Sequence, residues 1–499
     1  MDTGRNRGSS PLNVLSIVTD QHRIDALGCY GNGVGTSPNI DALAEEGVVF
    51  DNAFTPTAIC TPARATMLTG LLPFRHKLLA NYERNVGYAT ELSGVATFSE
   101  ALRDAGYNCG LVGKWHVGQE QGPDAFGLEG THFPGWGNTV RHPSYQAWLE
   151  DHHYGPHRRI SEIRGTFPNG EPGNLLAGVL DQPDRATFEH FLATQTIDQL
   201  HRYAKEWRRD RRPFHLSCHF FGPHLPYLLP PEDYDRFDPE QVALPHSMAE
   251  TFAGKPVVQR HYSAHWSCDD FSPAEWQKLI AIYWGYTALI DRQIGLILEA
   301  LRDLELWDDT AIVFTADHGE FTGAHRLNDK GPAMYDDIYR IPLIIRLPGS
   351  APARSGEYVT LTDLPATYLD LANMAPFPLS DGNSLVPMLQ GAASEPGPRE
   401  VLAEFHGHHF PYPQRMLRTD NWKLIINPAG VNELYDLQGD PSELTNLYGN
   451  RQFHELRSTM ERALYERLRT RGDNFFHWMS SMSDVGEKTY DVSLSEVDT

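Results

Sequence analysis

Residues 13–19 read NVLSIVT, and Asp20 and Gln21 follow at once. A run this rich in Val, Ile and Leu, with no charge in it, predicts a strand buried on both faces. The polar pair marks where the strand leaves the core. The same pattern recurs. Residues 108–112 lead to Lys114-Trp115-His116, 215–221 to His224, and 311–315 to Asp317-His318-Gly319, while 342–346 is a fifth apolar run. Helical patterns lie between them at 37–46, 62–68, 96–105 and 272–305, the last opened by Ser272-Pro273, an N-cap with proline at the first helical position. Alternating strands and helices imply an α/β fold with a large, mostly parallel sheet covered by helices on both faces. Ligands of such sheets bind beyond the carboxyl ends of the strands. A single strand-end Asp or His is commonly a helix cap, but four ends that all carry ionisable groups ask for a site.

Working outward, 499 residues are too many for one small domain. Hydrophobic residues at 40% and charged residues at 21% rule out wholesale disorder. The net charge of −23 argues against a nucleic-acid or anionic-membrane partner, whose footprint would be basic, although a local cationic cluster could still hold an anionic substrate. Five widely spaced cysteines suit neither a disulfide framework nor a zinc knuckle. Residues 1–10 lack the apolar core of a secretory signal, and no run reaches the ~20 apolar residues of a membrane span. A soluble, cytoplasmic protein is expected. We divide it into a large α/β domain over 11–385 and a smaller α+β domain over 386–499. Residues 391–398 read as a linker. Strands are expected at 401–405, 414–418 and 422–426, with a turn at 420–421, a helix at 453–470 and a loosely structured tail. The tail, 473–499, could dock on a second copy, which leaves a homo-oligomer open. Residues 118 to about 199, crowded with Pro, Gly and His, read as a long insertion of loops.

The sharpest segment is Cys60-Thr61-Pro62-Ala63-Arg64. Pro62 in a first helical turn would set Cys60 beside a helix N-terminus, where free N–H groups favour an anion. That setting also lowers a thiol pKa, so a plain cysteine nucleophile is one reading. A buried cysteine before a helix would explain neither Arg64 nor the strand-end carboxylates. Cys-x-Pro-x-Arg resembles the signature of the formylglycine-dependent sulfatases of the alkaline phosphatase superfamily. The resemblance extends to Val18-Thr19-Asp20-Gln21, Ser37-Pro38-Asn39-Ile40-Asp41 and Gly113-Lys114-Trp115-His116-Val117-Gly118. It continues through Pro223-His224-Leu225-Pro226-Tyr227, Ala316-Asp317-His318-Gly319-Glu320 and Asp329-Lys330-Gly331-Pro332, and weakly at 434–447. It covers about 11–385 and implies an alkaline-phosphatase-like sheet.

By that resemblance, a formylglycine-generating maturation enzyme would oxidise Cys60, and one oxygen of the hydrated aldehyde would attack sulfur. The other would then expel sulfate, so that one hard substitution becomes two easier ones. Asp20, Gln21, Asp317 and His318, with residue 60, resemble the ligand set of one divalent metal. Oxygen donors favour Ca²⁺, whereas Gln21 and His318, which stand where family members often carry Asp and Asn, leave Mn²⁺ or Mg²⁺ open. Arg64 would hold the diol, and Lys114 and Lys330 the oxygens of a sulfate-ester substrate. His224 would protonate the leaving alcohol and His116 would take the diol proton. A phosphonate monoester hydrolase or phosphodiesterase of the same superfamily is the rival reading, and the Lys114–His116 pair decides for a sulfatase. An inactive binding protein with unconverted Cys60 is a third, against which the intact catalytic set argues. Aryl, alkyl and sugar sulfates all remain open as substrates. Trp276, Tyr283, Trp284 and Tyr286 read as core, the other four cysteines as inert, and the His152–His153 pair and the His406-Gly407-His408-His409 run as solvated loop histidines rather than a second metal site. His408, His409 and Arg415 are flagged as specificity candidates at the pocket rim.

Overall fold

The computed structural model describes residues 11–84, 86–135, 139–391, 399–482 and 485. In the first half of the chain lie β1 (Asn13–Thr19), β2 (Val48–Phe54), β3 (Asn108–Lys114), β4 (His132–Phe133), β5 (Arg159–Thr166) and β6 (Pro172–Leu180). They are followed by β7 (Phe214–His219), β8 (Tyr227–Leu229), β9 (Thr310–Ala316), β10 (Leu343–Arg346) and β11 (Ala353–Thr360). The last four are β12 (Glu400–Gly407), β13 (Pro411–Thr419), β14 (Trp422–Ile426) and β15 (Glu433–Asp436). The main sheet has the order β11-β2-β10-β9-β1-β7-β3-β4, and only β10 runs antiparallel to its neighbours. The expected mostly parallel α/β sheet is present.

Every residue of β1, β7 and β9 is buried, as their uncharged sequences require. Alternation along β1 splits two cores: Leu15 and Ile17 face one, Val14 and Val18 the other. The long helix Pro273–Asp303, closed at its start by the Ser272–Glu275 capping box, covers the first. Register aligns the strand ends: Val18 pairs with His219, Thr19 with Ala316, and Gly113 with His219. Asp20, Lys114 and Asp317 therefore leave the sheet side by side. Beyond the ladder, Asp20 N–H donates to Gly222 O (3.1 Å) and Asp317 N–H to Thr19 O (3.2 Å).

The supposed loop insertion is instead structured. It holds the helix Pro143–Asp151, the β5–β6 hairpin and the start of the 23-residue helix Phe188–Asp210. That helix buries Phe188, Phe191, Leu192, Leu200, Tyr203 and Trp207, a helical stripe masked by the polar residues between them. Likewise β2 escaped detection because Asp51 and Asn52 interrupt VVFDNAF.

The C-terminal strands β12 to β15 form an antiparallel meander backed by the helix His454–Arg471. The turn falls at 420–421 as expected, while β15 was not foreseen. A further helix, Phe475–Met482, replaces part of the loose tail; linker residues 392–398 and tail residues 483, 484 and 486–499 lie outside the described residues. Phe54, Ala58 and Ile59 share one core with Val401, Ala403, Phe405 and Ile425, and Glu404 N–H donates to Pro56 O (2.8 Å). The C-terminal sheet thus braces the segment that delivers Cys60. Among the described residues no helix is long and apolar enough to cross a membrane.

Candidate active site

Cys60 opens the helix Cys60–Thr69, with Pro62 in its first turn, and every residue of that helix is buried. Its Sγ lies 3.2 Å from His318 Nε2 and 3.9 Å from Asp20 Oδ1. Arg64, one turn along and 2% exposed, is the hub. It donates through Nε to Asp317 Oδ2 (3.0 Å), through Nη2 to Asp20 Oδ2 (2.9 Å), and through Nη1 to Lys114 O and His219 Nδ1 (3.1 Å each). Lys114 Nζ sits 2.6 Å from Asp20 Oδ2. Donor atoms of Asp20, Cys60, Asp317 and His318 all lie within 4.8 Å of one another.

This crowding sets the protonation states. Burial and Cys60 would raise the Asp20 carboxyl, but Lys114, His224 and Arg64 outweigh them and hold it below the usual range. Asp317 goes the other way, raised by burial and by the Asp20 charge. Burial would lift the Cys60 thiol; Lys114, Lys330 and His318, with a bond from His116, drive it well down instead. His318 overcomes its burial beside Asp317 and Cys60 and rises to about 9.

Lys330 forms a second focus. Its Nζ donates to Gln21 Oε1 (2.8 Å), His224 Nε2 (3.0 Å) and Asp329 Oδ1 (3.1 Å). Because His224 Nδ1 faces Leu225 O (2.5 Å), which can only accept, Nδ1 carries the proton and Nε2 accepts from Lys330. Gln21, predicted as a metal ligand, has both ends of its amide engaged by side chains outside the four-residue cluster. Its oxygen takes Lys330, and its Nε2 donates to Asp329 Oδ1 (3.0 Å) and Glu320 Oε2. Burial and the Asp329 charge raise Glu320 to about 8, whereas Lys330, His408 and His224 overcome burial to hold Asp329 near 2. His116 lies edge-on to Tyr82 with its Nε2 2.8 Å from Glu83 Oε1. Gly135 must be glycine, since a Cβ there would fall 1.6 Å from the His116 ring. Gln21 and His116 both hold positive φ (61° and 55°), a cost of about 1–3 kcal/mol each of the kind that concentrates at working sites.

Beside Lys114 and His224 opens a cavity of about 1010 Å³, whose lining includes Phe221, Tyr286, Phe188 and Glu189 together with His157 and the exposed Arg141, Arg158 and Arg159. Tyr286, expected as core, is also pocket wall. Three residues of the site gave no isolated sequence signal. Glu83 sits in an irregular segment, His219 is the last residue of a buried strand, and Glu189 fell inside the misread insertion. A polar residue in the 188–207 helical stripe was the only available cue to Glu189. Arg415 does not reach the rim: it is buried and bound to Asp473 Oδ2 at 2.6 Å. His408 is buried against His409 and close enough to Asp329 to influence it.

An alkaline-phosphatase-like sheet with a buried cluster of Arg, Lys, Asp and His around Cys60 at its carboxyl edge fits the alkaline phosphatase superfamily. The sulfatase family profile matches residues 12–374, and the chain belongs to that family; it is a sulfatase. The profile for the C-terminal region of N-sulphoglucosamine sulphohydrolase matches residues 323–470. Similar proteins include the uncharacterized sulfatase YidJ of Escherichia coli, 31% identical over 93% of this chain and 89% of that protein. The choline-sulfatase of Rhizobium meliloti is 30% identical over 83% of this chain and 78% of its own length. Among solved structures, the phosphonate monoester hydrolase of Agrobacterium radiobacter superposes with a TM-score of 0.77 at 25% identity, covering 92% of this chain and 96% of that one.

Proposed function

We propose that this sulfatase cleaves sulfate monoesters to an alcohol and inorganic sulfate, with residue 60 acting as formylglycine beside one divalent cation. One observation carries the reading: Cys60 converges with Asp20, Asp317 and His318 between the cations of Arg64, Lys114 and Lys330. The donor set fits a divalent ion, because two carboxylates and an imidazole surround residue 60, and replacing its sulfur by oxygen makes three of the four donors oxygen. Bound there, the ion would neutralise ester oxygens and acidify a neighbouring hydroxyl.

The chain's own groups do the rest. Lys114 and Lys330 hold the transferring group's oxygens, and Arg64 fixes the two carboxylates. His224 Nε2 takes a proton from Lys330 Nζ, 3.0 Å away, and passes it to the leaving oxygen as the ester bond breaks. His116, oriented by Glu83 and packed on Gly135, takes the proton released when sulfate leaves. The likeness to the Agrobacterium enzyme keeps phosphonate monoesters as a second reading. Lys114 and His116, both buried, suit a transferring group with three free oxygens better than one with a second organic substituent, which supports the sulfate ester.

Mass spectrometry of the peptide containing residue 60, from protein produced with a formylglycine-generating enzyme, tests this. A peptide that has exchanged its thiol for an aldehyde, in protein whose turnover disappears on chelation and in Cys60→Ala, is expected. Turnover by wild-type protein that carries only the unmodified thiol would overturn the mechanism.

A further inference from the structure

The cavity beside Lys114 is far larger than one sulfate needs. Phe221, whose ring centre lies 5.7 Å from Lys114 Nζ, packs edge-on against Phe188 (ring centroids 5.4 Å apart), and both line the cavity with Tyr286 and Glu189. Glu189 is 5% exposed and stands in the first turn of the helix Phe188–Asp210. Tyr286, on the facing helix Pro273–Asp303, donates its hydroxyl to Glu189 Oε1 at 2.5 Å. No basic side chain among the described residues lies within ion-pairing distance of Glu189. A buried carboxylate on a catalytic cavity, held by a tyrosine and given no cation, is an acceptor for hydroxyl donors from a ligand.

Three aromatic faces around it offer the apolar surface against which the carbon faces of a sugar ring pack. The exposed part of the lining has the opposite sign. Arg141, Arg158 and Arg159 are exposed there beside His157, and Glu162 is the one lining carboxylate besides Glu189 among the described residues. Arg158 pairs with Asp181 and Arg159 with Glu162 (3.0 Å), while Arg141 is exposed with no ion pair among the described residues. In a chain of net charge −23, an exposed cationic lining is a departure that favours anions there. A small quaternary ammonium would suit the aromatic walls, but neither the volume nor the arginines.

We propose that the cavity is a saccharide cleft, in which Glu189 is the specificity residue accepting hydrogen bonds from the leaving sugar's hydroxyls and Arg141 binds a further anionic group, a sulfate or a carboxylate, on the same chain. This rests on the sulfate-ester reading and names its substrate class. Glucosamine sulfated on its primary hydroxyl, a disulfated disaccharide, and a disaccharide of that sulfated glucosamine with an unsulfated uronate are compared with para-nitrophenyl sulfate, which has no sugar hydroxyls.

Glu189→Gln is expected to lower kcat/KM for the saccharides about 10- to 100-fold, the loss expected for one hydrogen bond to a charged group, and to lower it less for para-nitrophenyl sulfate. Arg141→Ala should remove the preference for either disaccharide over the monosaccharide. The disaccharide arm it affects more identifies the second anion. Independently of any variant, the desulfated disaccharide should inhibit aryl sulfate hydrolysis by wild-type enzyme competitively. Equal losses on all esters in Glu189→Gln, or no such inhibition, would overturn the inference while leaving the sulfatase reading intact. An enzyme that hydrolyses the phosphonate but no sulfate ester would overturn both.

Discussion

Lys114 has its ammonium 2.6 Å from Asp20 and 5.7 Å from the centre of the Phe221 ring, and it lines the cavity. It is therefore both a counter-charge for the cluster and a cation facing the space that an ester would occupy. Lys114→Ala should cut kcat for sulfate monoesters about 10²- to 10³-fold, as loss of one electrostatic stabiliser does. Its melting temperature should fall as well, because the buried Asp20 carboxylate keeps only Arg64 of its two cationic partners. Steady-state kinetics beside a thermal melt would check both, and an unchanged kcat would remove Lys114 from the reaction. At this scale Asp20, Lys114, Asp317 and His318 were legible because each follows an uncharged strand and so stands out. Glu83 and His219 were not, because their roles exist only in space. Glu83 matters through the ring of His116, and His219 through Nη1 of Arg64, and neither relation leaves a spacing in the chain. The amide of Gln21 shows the converse. Its position was legible but its partner was not, since Lys330 lies 309 residues away.

The C-terminal meander is fastened by buried charge. Lys423 on β14 sits 2.6 Å from both Asp336 Oδ1 and Glu443 Oε1, and Arg418 on β13 also grips Asp336 (2.9 Å). Removing one partner from such a buried set leaves charge uncompensated, so Lys423→Met should lower stability by about 3–5 kcal/mol. The readout is the urea midpoint, and an unchanged midpoint would show that the pair contributes nothing net. Acid should loosen a nearby contact in a predictable window. Burial would raise Glu250, but bonds from His325 and Lys255 draw it from 4.5 to about 2. A carboxyl depressed on folding adds stability above its unfolded pKa and loses it as pH falls toward the folded one. The stability advantage of wild type over Glu250→Gln should thus shrink between about pH 4.5 and about pH 2; a constant advantage across that range would contradict the assignment. Strands and helices with clean periodicity were legible, including 422–426 to the residue. Those with polar interruptions were not. Asp51 and Asn52 hid β2, and the polar residues within the helix Phe188–Asp210 hid the element that carries Glu189.

Across the whole molecule, parallel register gathers three distant strand ends at one edge, and the C-terminal sheet braces the Cys60 segment from the side. The result concentrates cations at one buried point of a chain whose net charge is −23. That layout was legible as a site for an anion. The shape of the space around the anion was not, because it depends on loops and helices that fold back from far along the sequence. The shape matters most for the choice between one organic substituent and two. The central claim is tested most directly by kcat/KM of the mature, metal-loaded enzyme for the sulfate monoester, phosphonate monoester and phosphodiester of the same para-nitrophenol leaving group. The account predicts the highest value for the sulfate. A higher value for the phosphonate or the diester would contradict it.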